Sequence, residues 1–319
     1  MTNLSGKMGV SLIDDSKPSP DRTFSSEFIS SIAQRDNLLD NWDFRGASPD
    51  PLLNAVVNQR GQTAYTQGRA IDRWVVGSQT KMSLMDGFVR IERNSGTSAH
   101  SSAQFIEFPH LHAGKTLTFS ALYRTSIDSF RLRSGTNHGN MTDATIERAG
   151  NWTLLARTFN VHETIESLFV AIRMGQGAPV GGHIDIQAVK LELGTVSTLA
   201  NDPPMDFGRE LAVCQRHQVV NRSGTWELIR ASHVNPDVIR FVVPVTTRMR
   251  IRPIISGGHV AVTRVNDINT AIEGFAFSAH FSVIGGMQIA AFKIGHGLAD
   301  AVLRMFGTRD NQLIFDANL

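Results

Sequence analysis

The chain has 319 residues, of which 41% are hydrophobic and 19% are charged, and its formal net charge is +2. This length corresponds to about two domains, each long enough to bury a hydrophobic core without disulfide bonds. The dispersed Lys and Arg residues give no reason to expect a nucleic-acid partner. No apolar run reaches the roughly 18 residues that a membrane span requires, and the single cysteine, Cys214, excludes an intrachain disulfide bond. We therefore expect a soluble protein, made in the cytoplasm, with no membrane insertion.

The first 36 residues form a polar segment that Pro18 and Pro20 keep extended. Near its end, a short apolar stripe with helical spacing is made by Phe24, Phe28, Ile29 and Ile32. A stripe without a domain of its own must dock on another surface. Two interpretations stay open: the stripe packs on the following domain, or it anchors the chain to a partner.

Residues 37–200 alternate short apolar segments with turn residues, which is typical of a sandwich of antiparallel sheets. In Thr116–Arg124 every second residue is apolar, so the segment predicts a strand with one buried face. The stretch His183–Leu193 shows the same alternation, but its phase slips near Ala188, which predicts a β-bulge. Two Gly-rich stretches, Gly135–Gly139 and Gly175–Gly182, predict surface loops.

Residues 201–218 predict a short linking helix, with Asp202 as its N-cap and Pro203 in its first turn. Phe207, Leu211 and Cys214 lie on one face of this helix, so Cys214 is expected to be a buried thiol. Residues 219–319 predict a second, smaller β-sandwich domain. Its expected strands are Val238–Pro244, Met249–Ser256, Gly274–Val283, Gly286–Ile294 and Gln312–Phe315.

No motif of a nucleophilic, nucleotide-binding or metal-dependent site is present, so we expect a non-enzyme without cofactor or metal. His110 and His112 have a spacing that two metal ligands can use, but the adjacent Pro109 and Gly114 favour a turn. The tryptophans are interpreted as core anchors, with sugar stacking as the alternative; they are Trp42, Trp74, Trp152 and Trp226. Acidic side chains that could pair in space for glycoside hydrolysis are Asp128, Asp143, Glu147 and Glu166.

Several ordered motifs resemble bacteriophage and prophage tail-fibre-like proteins that contain a jelly roll similar to carbohydrate-binding modules. Over the first β region they are Asn37–Phe44, Val57–Gln62, Ile71–Trp74, Ala113–Ala121, Val189–Thr198 and Glu210–His217. A looser match to the small terminal domain of such fibres involves Phe241–Pro253 and Phe315–Leu319. The resemblance therefore covers residues 37–319.

This resemblance implies a virion protein that is made in the cytoplasm of the host bacterium, assembles as a homotrimer and contacts other virion proteins. The N-terminal stripe would then dock on the particle, and the sandwich domains would contact host-surface glycan. Loops carry the binding residues in such proteins, so the candidates in the two Gly-rich regions are Asn137, His138, Asn140, Gln176 and His183.

Two alternatives to this short tail-fibre or receptor-binding function stay open. The first is an architectural head-fibre, collar or baseplate protein without affinity for glycan. The second, less favoured, is a depolymerase of surface polysaccharide, for which Asp143 and Glu147 are the first residues to test.

Overall fold

The computed structural model describes most of the chain after the N-terminal segment, and it is mainly β, as the sequence predicts. The described residues are 36–96, 100–136, 142–222, 227–228, 231–235, 237–243, 247–257, 261–264, 267–272, 276–283, 286–293, 303–306 and 312–317. They form two compact units. The first contains the described residues of Met1–Asn54 with Thr63–Gly68 and Trp74–Met205, and the second contains Ala55–Gln62, Arg69–Arg73 and Asp206–Leu319.

The first unit is built on two six-stranded antiparallel sheets, in the orders β1-β4-β5-β12-β7-β10 and β2-β3-β6-β11-β8-β9. Its strands are β1 (Ala64–Tyr65), β2 (Gly68–Arg69), β3 (Val75–Val76), β4 (Thr80–Met85), β5 (Phe88–Arg93), β6 (His100–Phe105), β7 (Thr116–Thr125), β8 (Phe130–Thr136), β9 (Thr142–Ile146), β10 (Ala149–Asn160), β11 (Leu168–Met174) and β12 (His183–Leu193). Short 3₁₀ helices lie at Pro109–His112 and Leu199–Asn201. The expected turn at His110 and His112 is thus confirmed.

The order of the eight strands β5 to β12 is that of a jelly roll. Four of them form β5-β12-β7-β10 and the other four form β6-β11-β8-β9, so the chain crosses repeatedly from one sheet to the other. Two interlocked Greek keys produce this order. The predicted jelly-roll sandwich therefore follows from the chain's own topology.

The core of the first unit lies between the inner faces of the two sheets. In β7 the apolar side chains Leu117, Phe119, Ala121 and Tyr123 are all buried, as their alternation predicts. Trp74 is buried beside them in the core of the same unit, and its indole nitrogen donates a hydrogen bond to the carbonyl of Asn41. The core interpretation is confirmed for this tryptophan.

The predicted bulge in β12 is confirmed, because the register of β12 against β7 shifts between Ile186 and Ala188. Before the shift Ile184 and Ile186 face the core, and after it Val189 and Leu191 do so. One extra residue changes which side chains face inward. Both halves of β12 therefore bury their apolar residues in one core.

Beyond the bulge, one segment of the chain takes the place of β5 beside β12, and another covers the outer face of the sheet. Residues 37–44 pair with β12 where β5 has ended, through backbone bonds such as Leu38 N to Leu191 O (2.8 Å). The segment after β12 is fixed by Lys190, whose Nζ donates to Asp202 Oδ1 (2.6 Å) and Thr198 Oγ1 (2.8 Å). The Thr198 hydroxyl in turn donates to Glu192 Oε2 (2.7 Å). All four side chains of this network are buried.

The second unit contains three small antiparallel sheets, in the orders β13-β23-β17, β14-β22-β18-β19 and β15-β16-β21-β20. Its strands are β13 (Gln218–Arg222), β14 (Glu227–Leu228), β15 (Ala231–Asn235), β16 (Val238–Val243), β17 (Ile254–Gly257), β18 (Ala261–Arg264), β19 (Asp267–Ile272), β20 (Ala276–Val283), β21 (Gly286–Phe292), β22 (Leu303–Phe306) and β23 (Gln312–Asp316). Each of the five predicted strands has a counterpart here. The predicted domain boundaries stay a prediction, and the structure adds Ala55–Gln62 and Arg69–Arg73 to this unit.

The linking helix is shorter than predicted and has a different cap. Helix α1 spans Phe207–Gln215, and the Asp206 side chain accepts a hydrogen bond from the amide of Arg209 at its N-terminus. The prediction of Asp202 as the cap was wrong, because the Asp202 carboxylate is bonded to Lys190. Cys214 is buried, as expected, whereas Phe207 is exposed to 43%.

Buried polar side chains fix the two short segments of the second unit against β13. Gln59 donates through its amide nitrogens to both carboxylate oxygens of Asp72, at 2.7 and 2.6 Å, and its side chain also bonds the Gln218 carbonyl (2.8 Å). Burial raises the pKa of Asp72 to about 6. His217 is buried with its Nδ1 3.0 Å from Arg73 Nη1, so it accepts this hydrogen bond as a neutral ring.

Burial and the nearby positive charges lower the pKa of His217 to about 2. The charges are those of four arginines: Arg73, Arg250, Arg216 and Arg69. A histidine whose pKa is lower in the folded than in the unfolded chain binds protons preferentially when unfolded. Its contribution to stability is therefore complete above about pH 6.5 and is lost as the pH falls.

Replacement of Lys190 by Met is expected to destabilise the first unit by about 3–5 kcal/mol, because it leaves the Asp202 and Glu192 carboxylates buried without their cation. Urea denaturation with linear extrapolation measures this change. Lys81→Met, on the partly exposed strand β4, is the matched control and is expected to change stability by no more than about 0.5 kcal/mol. Equal effects of the two substitutions would contradict the role given to the Lys190 network.

Replacement of His217 by Gln is expected to reduce the loss of stability of the second unit in acid, since the Gln carbonyl oxygen can still accept the Arg73 hydrogen bond but cannot titrate. Between pH 6.5 and pH 5 the wild type should lose about 2 kcal/mol more than the variant. The opposite effect of Asp72 is common to both proteins and cancels in the comparison. Hydrogen exchange of peptides covering β13 and β23, at both pH values, measures the difference. Identical pH dependence in the two proteins would show that His217 is not the titrating group.

Candidate functional site

The outer face of the β5-β12-β7-β10 sheet carries an open cleft on the part that lies before the bulge. Its volume is about 520 Å³. The lining residues come from β5, β7, β12, the start of β10 and the loops next to β7 and β10. They are Arg90, Arg124, Thr125, Ser126, Arg148, Ala149, Gly150, His183 and Asp185. The charged side chains of these strands converge here because strand alternation points them away from the core.

Asp185 is the centre of the cleft. The antiparallel register places it opposite Arg90 on β5 and opposite Arg124 on β7. Arg90 donates to both carboxylate oxygens, at 2.7 and 3.1 Å, and Arg124 Nε donates to Oδ2 at 3.0 Å. The carboxylate is buried, and its hydrogen bond raises the pKa of the Arg90 guanidinium. Asp185 therefore holds two cations in fixed positions.

Two aromatic rings that contact Arg124 complete the arrangement. The Arg124 guanidinium carbon lies 4.8 Å from the centre of the Phe88 ring and 4.7 Å from that of Trp152. The two rings contact each other edge to face, with centroids 5.9 Å apart. Trp152 is partly exposed and lies where the register of β10 against β7 shifts, between Ala149 and Thr153. Cation–π contacts of this kind favour one orientation of the guanidinium.

The loop between β11 and β12 positions His183 at the rim of the cleft. The buried Arg93 donates to the carbonyls of Gly96 and Gly175, both at 2.7 Å, and so fixes the loop to the end of β5. Gly182 has no room for a side chain, because a Cβ atom there would lie 2.9 Å from the backbone carbonyl oxygen of Pro179. The His183 ring then bonds the Gly181 carbonyl through Nδ1 at 3.1 Å. Its Nε2 is the ring nitrogen that a ligand can use.

The structure places only part of the predicted glycan-binding set. His183 is the first residue of β12 and lines the cleft, while Gln176 is exposed in the preceding loop. Asn137, His138 and Asn140 lie outside the described residues, as do Phe24, Phe28, Ile29 and Ile32 of the N-terminal stripe. The assignment of these residues to binding and docking stays a prediction.

The sequence patterns did not indicate the cleft residues Arg90, Arg124 and Asp185, whereas sugar stacking was the alternative interpretation of the neighbouring Trp152. Trp152 was interpreted as a core anchor, and the structure contradicts this because the ring is on the outer face against Arg124. A usable signal was Asp185 itself, a carboxylate between the core residues Ile184 and Ile186 of an alternating strand. A charged residue at that position of a central strand needs a cation on a neighbouring strand.

Within the described ranges, no group of three or more His, Cys, Asp or Glu side chains is arranged to hold a metal ion. Among the acids considered for hydrolysis, Glu147 and Asp128 are exposed, and the only carboxylate among the described residues that line the cleft is that of Asp185. None of the helices in the described part of the chain is long and apolar enough to cross a membrane.

Comparison with known proteins finds likeness only among solved structures; no protein-family model and no curated protein matches the chain. A CBM4 structure is 18% identical, with 41% of this chain and 85% of that chain covered and a TM-score of 0.31. The CBM22-1 xylan-binding domain from Paenibacillus barcinonensis is 10% identical, with 51% and 97% covered and a TM-score of 0.33. A putative sugar binding protein from Bacteroides thetaiotaomicron is 12% identical, with 50% and 100% covered and a TM-score of 0.31. The jelly-roll assignment of this chain rests on its own strand order.

Proposed function

We propose that the chain is a bacteriophage virion protein of the short tail-fibre or receptor-binding type that binds host-surface glycan in the cleft of its jelly roll. It is attached to the particle through residues 1–36 and assembles as a homotrimer. The virion assignment is supported by the ordered motifs between residues 37 and 319. The glycan assignment is supported by the cleft.

The observation that carries the glycan assignment is the combination of an aromatic surface and fixed polar donors beside one open cleft. Sugar rings present C–H groups that pack on an aromatic face and hydroxyls that need oriented hydrogen-bond partners. Trp152 and Phe88 supply the aromatic surface, while Arg124 and His183 supply polar groups held by Asp185 and Gly181. The site is formed by rigid strands, so ligand binding does not have to order it.

Replacement of Trp152 by Ala is expected to weaken glycan binding by at least about tenfold, which corresponds to about 1.4 kcal/mol, because the aromatic surface beside Arg124 is lost. The measurement is a glycan array probed with the full chain, followed by biolayer interferometry on the glycans that bind. Trp152→Phe is expected to retain part of the affinity.

Phe105→Ala is the matched control for this test. Phe105 is an exposed aromatic residue on β6, in the other sheet of the jelly roll, and it is 51% exposed. Its loss is expected to leave glycan binding unchanged. Affinity unchanged in Trp152→Ala would remove the cleft from the binding site, and an array without any bound glycan would favour the architectural virion protein.

Deletion of residues 1–36 is expected to abolish incorporation of the chain into particles, since the stripe that includes Phe28 and Ile29 is then lost. Incorporation is measured by quantitative mass spectrometry of purified particles from a phage that carries the deletion in its own genome. The double substitution Phe28→Asp, Ile29→Asp should have the same effect, whereas Ser25→Ala and Ser26→Ala, between the stripe residues, should not. Normal incorporation of the deleted chain would refute the attachment role.

A further inference from the structure

The cleft contains more positive than negative charge. Arg90, Arg124 and Arg148 contribute three positive charges and Asp185 one negative charge, which leaves a net charge of +2. Glu92 lies opposite both Lys81 on β4 and His183 on β12, but it is not among the residues that line the cleft. A cleft of this kind concentrates field lines and attracts anions.

The Asp185 carboxylate is already fully used by the protein. It accepts three hydrogen bonds from Arg90 and Arg124, and no described residue bonds the terminal nitrogens of Arg124. The exposed Arg148 has no ion pair with any described residue. Two guanidinium groups therefore present unused donors to the same cleft.

Guanidinium donors of this kind suit an oxyanion better than a neutral sugar. A neutral hydroxyl would displace water from Arg124 and Arg148 without compensating their charge. A carboxylate or phosphate oxygen forms shorter and stronger charge-assisted bonds with guanidinium nitrogens. The fixed position of Arg124 against Phe88 and Trp152 lowers the entropy that such a bond would cost.

We propose that the glycan bound in this cleft is acidic, with its carboxylate or phosphate group on Arg124 and Arg148 and its sugar ring against Trp152. This inference rests on the proposed glycan-binding function and specifies the ligand class of the same site. Arg90 stays with Asp185 and serves as a positioning residue. His183 Nε2 contacts a neighbouring hydroxyl of the sugar.

The test compares each acidic polysaccharide with its own neutral form. Full-length chain is measured by biolayer interferometry on polygalacturonate, alginate and hyaluronate, each beside its carboxyl-reduced product, and on a phosphomannan beside its dephosphorylated product. At least one acidic form should bind about tenfold or more tightly than its neutral product. The uronate and phosphomannan arms show which oxyanion is preferred. Raising NaCl from about 50 mM to about 500 mM should weaken the binding.

Arg148→Glu is the decisive variant, because Arg148 is exposed and its loss does not disturb the Asp185 cluster. It should abolish the preference for the acidic form. Arg157→Glu is the matched control, since it changes the same charge on an exposed residue of β10 that lies opposite Phe119 and does not line the cleft. This control should keep the preference.

The outcomes separate the two proposals. Equal affinity for acidic and reduced forms, or binding to neutral array glycans only, overturns the acidic-ligand inference and leaves glycan binding intact. Equal losses in Arg148→Glu and Arg157→Glu indicate attraction by overall charge and also overturn it. An array and a polysaccharide panel without any binding refute the glycan-binding function itself.

Discussion

The bulge between Ile186 and Ala188 is the constraint on which both the core and the candidate site depend. It allows β12 to present isoleucines to the core on one side of the shift and Val189 and Leu191 on the other. It also divides the outer face of the sheet. Before the bulge β12 pairs with β5, and beyond it residues 37–44 replace β5 as the neighbour. The open cleft lies before the bulge, and the covered half of the face lies beyond it.

The alternation of apolar residues was sufficient to predict β7, β12 with its bulge, and the sandwich of which they are part. These features depend on which side chains face inward, and a period of two records this directly in the sequence. The cleft could not be predicted in the same way. Arg90 and Asp185 are 95 positions apart, and they meet only because the jelly-roll order places β5 beside β12. Sequence spacing carries no information about that neighbourhood.

Asp202 shows why local chemistry also misled the prediction of the linking helix. An aspartate before two prolines has the features of an N-cap. This local pattern takes no account of the side chains that contact the aspartate in the folded chain. In the structure Lys190 lies within 2.6 Å of the Asp202 carboxylate, and a buried ammonium needs that partner more than a helix end does. The cap then falls to Asp206, four positions later. Tertiary electrostatics decided between two aspartates that are equally suitable by local pattern.

The two halves of the outer face differ in how their charges are balanced. In the covered half Lys190 is matched by Asp202 and Glu192, and all three are buried, so the network is neutralised within the protein. In the open half one carboxylate, Asp185, serves two arginines, and Arg148 adds a third positive charge. In the covered half, a segment of the chain and opposite charges bury and neutralise the outer face. Among the described residues, the open half has neither a covering segment nor balanced charges. The charge that is left unbalanced lies where the chain leaves the sheet open, and this coincidence is the physical reason to place a ligand there.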